Sequence, residues 1–311
     1  MRKVIGIGET VLDIIFRDGQ PIGAYPGGST FNAIISMARW GAKTAFISET
    51  GADRVGDTII SFLKENGVDA GSVCQFPQTK SPLSLAFLNE QNDAEYVFYK
   101  DHPNDRLEFQ YPEVNADDVV LFGSYYAVNP VIRQQVYGFL KYAHEQGAIL
   151  YYDVNFRKAH AHEVVKLRAN LLENFGLADI VRGSHEDFQV IFGQDDADRI
   201  YRSEISFYCR NFICTRGADP IEVRAPQDFS RRYPVTPTET VSTIGAGDNF
   251  NAGFICGLLR EDIRRKDLEA GLSPEQWDSL IALGQEFSAE CCKSILNYIG
   301  DPTPTLPREG G

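Results

Sequence analysis

The stretch Ser242-Thr243-Ile244-Gly245-Ala246-Gly247-Asp248-Asn249-Phe250 carries the most information about this chain. Two glycines flank an alanine directly before a helical pattern, so a tight turn leads into a helix N-terminus. Such a turn leaves backbone N–H groups free at the positive end of the helix, where they can bind an anion. The carboxylate of Asp248 would repel an anion there. It fits the site if it accepts the proton of a hydroxyl that attacks a bound phosphoryl group.

Three more segments place polar or small residues at the ends of strands or the starts of helices. Ligands of α/β sheets bind at the carboxyl ends of the strands. Each segment alone is equally compatible with a surface turn, and Asp248 alone with a simple helix cap. Four such sites in one chain favour a ligand site. The three segments are Gly27-Gly28 with Asn32, the stretch from Gly8 to Asp13, and Asp153-Val154-Asn155-Phe156-Arg157.

Outward from these segments, strand-like and helix-like runs alternate along the chain. Apolar runs at 4–8, 44–49, 119–122, 148–154, 180–181, 212–215 and 221–224 predict strands. Helical spacing predicts helices after Gly28, with Ser29 or Thr30 as N-cap and Gly41 as C-cap, and at 131–146, 247–259 and 274–297. This alternation predicts an α/β fold with a mostly parallel sheet covered on both faces.

One region breaks the alternation. Residues 83–90 and 95–100 are two β-type runs joined by the hairpin signal at 91–94. An antiparallel hairpin within an α/β chain predicts a small added sheet, which the early β run at 11–17 could join. Four side chains near this hairpin, Tyr96, Phe98, Tyr99 and His102, are better explained as packing residues of that sheet than as binding residues.

Length and composition limit the possible functions. The 311 residues are enough for a stable core without a disulfide or a structural metal. Acidic side chains outnumber basic ones by 43 to 30, a net charge of −13, which argues against nucleic-acid and anionic-membrane partners. The six cysteines show no metal-ligand spacing. No apolar run approaches the roughly 20 residues of a membrane span. We therefore expect a reduced, cytoplasmic protein.

Taken together, these segments resemble the ribokinase-like family of sugar kinases, also called the phosphofructokinase B type, over residues 6 to about 299. The stretch ending in Gly245-Ala246-Gly247-Asp248 is specific for that family, and Gly27-Gly28 with Asn32 is moderately so. The resemblance implies a three-layer α/β sandwich with a small β-sheet lid, which binds ATP with Mg²⁺ and a sugar. It implies one domain over 1–300, a lid formed by about 11–25 and 83–101, and a flexible tail at 301–311. A homodimer that pairs through the lid is also consistent with it.

The resemblance also implies roles for single residues. Asp248 would be the catalytic base, and Gly245, Ala246 and Gly247 would form the anion hole. The sugar would be held by Asp13, Gly27, Gly28 and Asn32. The nucleotide would lie near Thr215 and Gly217. The segment with Asp153, Asn155 and Arg157 is similar to one in fructokinase-like members, where such groups line the sugar and phosphate region, and it favours fructose or a related sugar.

The chain departs from the family pattern at three positions. The motif Asn-x-x-Glu, which organises magnesium and water, is replaced by Ser184 and Asp187. Ser242 stands where many members have an aspartate in a potassium-binding loop, and this weakens any expectation of potassium activation. The Gly-x-x-Gly spacing near the nucleotide reads Gly217-Ala218-Asp219-Pro220, so the loop around the adenine would differ.

Several other functions remain open. A dinucleotide-linked oxidoreductase is set aside, because its glycine fingerprint would need a third glycine where Val11 stands. A nucleoside kinase or a keto-deoxy sugar acid kinase of the same family is an alternative. So is a non-catalytic sugar sensor. Asp248 argues against a sensor, whereas Ser184 and Asp187 argue mildly for one.

Overall fold

The computed structural model describes residues 2–89, 94–100 and 107–300. Its centre is a nine-stranded sheet in the order β13-β12-β11-β10-β9-β8-β1-β4-β5. All neighbours from β11 to β5 run parallel, whereas β12 and β13 are antiparallel additions at one edge. The strands are β1 (Lys3–Ile7), β4 (Lys43–Gly51), β5 (Asp69–Phe76), β8 (Val119–Gly123), β9 (Ile149–Asp153), β10 (Ile180–Ser184), β11 (Phe212–Arg216), β12 (Asp219–Ala225) and β13 (Phe229–Tyr233).

Helices cover both faces of this sheet, because its central strands are apolar on both sides. In β8, for example, Val119 and Leu121 face one hydrophobic core, while Val120 and Phe122 face the other. The helices are α1 (Ser29–Trp40), α2 (Arg54–Glu65), α3 (Ser124–Val128), α4 (Arg133–Glu145), α5 (Val164–Leu177), α6 (His185–Phe192), α7 (Ala197–Ile200), α8 (Ala246–Arg260), α9 (Arg265–Ala270) and α10 (Pro274–Cys292). A 3₁₀ helix at Lys158–Glu163 and a π-helix at Tyr201–Ile205 complete them. The predicted three-layer, mostly parallel architecture is confirmed.

A second sheet of four strands lies beside the first, in the order β3-β2-β6-β7. It contains β2 (Val11–Arg17), β3 (Gln20–Gly27), β6 (Leu83–Leu88) and β7 (Ala94–Tyr99). The hairpin of β6 and β7 is antiparallel, and β2 joins β6 in parallel. We call this sheet the lid. The hairpin turn predicted at 91–94, except for Ala94, lies outside the described residues, as do His102, the end of the second lid segment at residue 101, and the tail at 301–311.

Some predicted boundaries were wrong. The N-cap of α1 is Gly28, without a side-chain cap bond, and Ser29 and Thr30 are already helical. The helix predicted at 131–146 begins at Arg133, and the last helix ends at Cys292 rather than at residue 297. Gly41 does end α1 in the left-handed conformation, as predicted.

Within the described part of the chain, no helix combines the length and the apolar character that crossing a membrane requires. All six cysteines are free thiols.

Candidate active site

The carboxyl ends of the parallel strands bring together the segments that the sequence singled out. β9, β10 and β11 are neighbours, so Asp153 lies opposite Arg182, and Ser184 lies opposite Thr215. The chain changes direction across the sheet between β1 and β8, and such a switch point is where open α/β sheets bind ligands. Helix α1 follows β3 of the lid and contacts both β1 and α8, so the two predicted signature segments meet at this edge.

Gly245, Ala246 and Gly247 form the turn at the N-terminus of α8, and we call them the anion turn. Gly245 is the N-cap with φ 77°, and a Cβ there would lie 2.6 Å from the carbonyl oxygen of Asn297, so only glycine fits. The first bond of the helix runs from Asn249 N–H to Gly245 O at 2.9 Å. The N–H groups of Gly247 and Asp248 precede it, in the turn where a helix has no internal partners for its donors. An anion can bind there.

Asp248 is the third residue of α8 and is 8% exposed. Ser29 Oγ donates to its Oδ1, and Asn32 Nδ2 donates to its Oδ2, each at 2.9 Å. Burial raises the pKa of Asp248 to about 6. The hydrogen bond from Asn32 opposes this rise, the charge of Asp153 adds to it, and the charge of Arg157 and the bond from Ser29 oppose it. Asp248 is therefore ionised at neutral pH, yet basic enough to take a proton.

Asp13 is a second buried carboxylate and lies on β2, at the inner face of the lid. Ser84 Oγ donates to its Oδ1, and Asn297 Nδ2 donates to its Oδ2 at 3.2 Å. Burial raises its pKa to about 6, and the negative charges of Glu9 and Asp248 act in the same direction. Asp13 and Asp248 are therefore close enough to influence each other.

A small cleft that opens to solvent lies between the lid and the central domain at Asp13. One wall comes from the lid and the other from the loops around α8 and α10. Most of the lining is apolar, with polar groups concentrated near Asp13 and Asn297, which is typical of small-molecule sites. The lining residues are Asp13, Ile15, Ala86, Leu88, Tyr96, Ser242, Ile244, Ile295 and Asn297.

The remaining predicted sugar residues lie close by. Gly27 ends β3 opposite Val11, and Gly28 begins α1. Among the described residues, Asn32 Oδ1 is buried without a hydrogen-bond partner, so it can accept a bond from a ligand. Asn155 and Arg157 follow β9, and the charge of Arg157 acts on both Asp248 and Tyr96.

The Asp153 carboxylate already forms an ion pair within the protein. Its Oδ1 accepts a bond from Arg182 Nη1 at 2.8 Å, and both side chains are buried. Its Oδ2 has no partner among the described residues. Asp153 therefore has at most one oxygen left for a ligand.

Several of the residues predicted to bind the nucleotide also form hydrogen bonds within the protein. Thr215 Oγ1 accepts a bond from Arg182 Nη2 at 2.8 Å, and Gly217 lies in the turn between β11 and β12. Ser184 caps α6, and the Asp187 carboxylate accepts bonds from Ser184 N at 2.7 Å and Ser184 Oγ at 2.8 Å. These two residues form a capping box, which a sequence of this spacing commonly makes.

Four contributors to the site were not predicted: Arg182, Ser84, Asn297 and Ser29. Tyr96, predicted to be lid packing, lines the cavity. The sequence does hint at the importance of Arg182, because it is a charged residue within an apolar strand. Nothing in the sequence marks Ser84 and Asn297 as site residues, since only the folded chain places them beside Asp13.

Comparisons with known proteins show what this chain is similar to. The model of the pfkB family carbohydrate kinases matches residues 1–295. The 5-dehydro-2-deoxygluconokinase of Geobacillus thermodenitrificans is 28% identical over 76% of this chain and 72% of its own length. Fructokinase-1 of Oryza sativa subsp. japonica is 26% identical over 98% of this chain and 95% of its own.

Among solved structures, the fold is similar to that of fructokinase from Vibrio cholerae O395 with bound fructose, ADP and calcium ion. The TM-score is 0.80, with 20% identity and coverage of 99% of this chain and 96% of that one. The match of the family model to nearly the whole chain confirms the resemblance seen in the sequence, and this chain belongs to the pfkB family of carbohydrate kinases.

Proposed function

We propose that this carbohydrate kinase transfers the γ-phosphate of ATP to a hydroxyl of fructose or a related sugar, with Asp248 as the catalytic base. The observation that carries this proposal is the position of Asp248. It is a buried carboxylate, fixed by Ser29 and Asn32 and placed directly after the anion turn. A proton acceptor beside an anion site is what an attacking hydroxyl needs.

In the proposed step, the sugar hydroxyl oxygen attacks the γ-phosphorus of ATP and its proton passes to a carboxylate oxygen of Asp248. The new bond joins the sugar oxygen to phosphorus, and the bond between phosphorus and the β,γ-bridging oxygen breaks, so that ADP leaves. The N–H groups of the anion turn stabilise the negative charge on the transferred group. The hydrogen bonds from Ser29 and Asn32 keep the carboxylate oriented throughout.

The sugar would lie between the lid and α1. Asp13 and the free Oδ1 of Asn32 can accept bonds from sugar hydroxyls, and the backbone at Gly27 and Gly28 lets the ligand approach closely. Asn155 and Arg157 would complete the site. Asp153 contributes less directly, because its Oδ1 is paired with Arg182.

ATP would lie across the anion turn toward Thr215 and Gly217, with Mg²⁺ on its phosphates. The protein offers no metal site of its own in the residues that the structure describes: no cluster of three or more His, Cys, Asp or Glu could hold an ion. Asp187 is turned back onto Ser184. We therefore propose that Mg²⁺ enters bound to ATP, where it neutralises phosphate oxygens, and that Ser184 and Asp187 shape the nucleotide site through the cap of α6.

A keto-deoxy sugar acid is the second candidate substrate. The exposed guanidinium of Arg157 lies near enough to act on Asp248 and could pair with a substrate carboxylate. A curated relative at 28% identity is a 5-dehydro-2-deoxygluconokinase.

A coupled assay of ADP formation over ketohexoses, pentoses, keto-deoxy sugar acids and nucleosides tests these candidates. Fructose should give the highest kcat/KM. A higher value with a sugar acid, lost in Arg157→Met, would favour the second candidate, and a nucleoside preference would contradict both. Sugar binding without turnover would indicate the non-catalytic sensor.

We also propose a homodimer formed through the outer face of the lid. The cavity-lining residues of the lid alternate with apolar side chains that point away from the cavity. Phe16 stacks on Phe87 there with ring centroids 5.0 Å apart, and Phe87, Val97 and Tyr99 are exposed. A contiguous apolar face of this kind is typical of an interaction surface.

Analytical ultracentrifugation tests the dimer. The wild-type chain should sediment as a dimer and Phe87→Glu as a monomer. Val165→Glu, a change at an exposed apolar residue on α5, is the control and should leave the dimer intact. A wild-type monomer at micromolar concentration would contradict this proposal.

A further inference from the structure

Arg182 is a buried cation that connects three parts of the site. The residue is 6% exposed. Its side chain donates to Asp153 through Nη1 and to Thr215 through Nη2, and it packs against Gly247, where a Cβ would lie 2.9 Å from Nη2. We propose that Arg182 is a positioning residue that neutralises Asp153 and so keeps the nearby base, Asp248, in its proton-accepting form. This inference rests on the proposed function of Asp248.

Asp153 needs such a partner because it is 3% exposed. A carboxylate removed from water is costly unless it is paired, and removal of one member of a buried pair leaves the other charge uncompensated. Its position also matters for the chemistry. The charge of Asp153 acts on Asp248 and makes ionisation of that carboxyl less favourable. An adjacent guanidinium offsets this influence.

The Arg182–Asp153 pair differs from an ion pair that only stabilises the fold. Among the described residues, Arg182 Nε and Asp153 Oδ2 are both buried without a hydrogen-bond partner. Purely structural pairs usually satisfy every buried polar atom. The contact with Gly247 places the guanidinium beside the anion turn, so a change at Arg182 would reach the residue next to Asp248.

Other groups also act on the charge states of Asp248 and Arg182, and all of them except Asp153 stay the same in the comparison below. Asp248 is faced by Ser29 and Asn32 of α1, Asp13 of β2, Tyr96 of β7, Asp153 of β9, Arg157 of the following loop and Cys291 of α10. Arg182 is faced by Tyr151 and Asp153 of β9, Asp187 of α6, Cys214 and Thr215 of β11 and Phe250 of α8.

The test is the pH dependence of kcat/KM for the sugar at saturating MgATP, from pH 5 to 9. Four proteins are compared: wild type, Arg182→Met, Asp153→Asn and the double variant. The acid limb of the profile reports ionisation of the base. Arg182→Met leaves Asp153 unopposed, so its limb should move to higher pH by about one unit, with activity recovering at alkaline pH. Asp153→Asn should move the limb to lower pH, and the double variant should return it close to the wild-type position.

Three results would overturn the inference. Arg182→Met could lose activity by the same factor at every pH, as a structural brace would. Asp153→Asn could leave the limb unmoved, a result that decides the matter even where Arg182→Met does not fold. Arg182→Lys, which keeps the charge, could shift the limb as far as Arg182→Met does. Failure of the proposed function is separate, because the wild type would then show no sugar-dependent turnover at any pH.

Discussion

At the residue scale, the site depends on two buried carboxylates, and burial makes the ionised form of each less stable than it would be in water. Asp13 and Asp248 both have pKa values raised to about 6, mainly because burial disfavours the charged form. Ordinary folded aspartates avoid such positions. One on β2 and one in the first turn of α8, close enough for their charges to interact, are therefore better explained by ligand binding and proton transfer than by packing.

The first prediction concerns Asp13→Asn. The folded-state pKa of Asp13 exceeds its unfolded value near 3.8, so ionisation costs stability as the pH rises from about 4 through 6. At pH 7.5 the variant should unfold at a higher temperature than wild type, and at pH 4.5 the difference should shrink. Its KM for the sugar should rise at least tenfold, on the order of one charge-assisted hydrogen bond, with little change in KM for ATP.

Asp18→Asn is the matched control, because Asp18 is an exposed aspartate in the turn that joins β2 to β3 of the same lid. It should change neither the melting temperature nor the KM for the sugar. A neutral-pH melting temperature for Asp13→Asn below that of wild type would contradict this prediction, because it would show that ionised Asp13 stabilises the fold.

Sequence alone could predict which residues carry the chemistry but not how they contact each other. Asp248, Asp13 and Asn32 stand in recognisable motifs. The role of Ser29 is different: helix-start chemistry suggested an N-cap, whereas its hydroxyl donates to Asp248. Arg182 acquires its function only from the strand order, which sets β10 between β9 and β11.

At the scale of elements, the anion turn depends on the backbone around Gly245. We predict that Gly245→Ala raises the KM for ATP and lowers kcat, because the new Cβ would push against the carbonyl of Asn297 and displace the turn. It should also cost about 1–3 kcal/mol in the free energy of unfolding. Urea denaturation and steady-state kinetics measure both effects.

Gly67→Ala is the control that separates the steric clash at Gly245 from the strain of a positive φ. Gly67 has φ 76°, nearly that of Gly245, but a Cβ there would meet nothing within 4 Å. This variant should lose some stability and keep its kinetics. Equal kinetic effects in the two variants would contradict the assignment of the turn.

The lid makes a separate prediction through Tyr96, whose ring stacks on Phe98 and lines the cavity. A closed lid excludes water that would otherwise compete with the sugar for ATP. Tyr96→Ala should therefore raise the ratio of ADP formed to sugar phosphate formed, and Tyr96→Phe should leave this ratio near that of wild type. An unchanged ratio in Tyr96→Ala would show that this side chain does not exclude water.

The elements missed in the sequence are mostly strands with weak patterns. β3 contains Pro21, Gly23 and Pro26, which normally break strands but are tolerated because β3 is an edge strand of the lid. β5 is also an edge strand and mixes glycine and polar residues with its apolar ones. The buried strands of the central sheet, by contrast, were recognisable because both of their faces are apolar.

At the scale of the whole molecule, the net charge of −13 describes the surface rather than the site. A nucleotide carries several negative charges, and groups at the site itself can interact with them favourably. The N-terminus of α8 provides oriented N–H groups, Arg157 adds an exposed cation, and Arg182 neutralises the buried Asp153. An acidic protein can therefore bind ATP while its surface repels longer polyanions.

The most direct test of the central claim compares wild type with Asp248→Asn in one sugar-dependent kinase assay. Asparagine can still accept a bond from Asn32 and donate to Ser29, so the fold and sugar binding should be kept. We predict that kcat falls by roughly 10²–10⁴-fold, while the sugar dissociation constant, measured by calorimetry, changes by less than about threefold. A kcat for Asp248→Asn within about fivefold of wild type would contradict the assignment of Asp248 as the base.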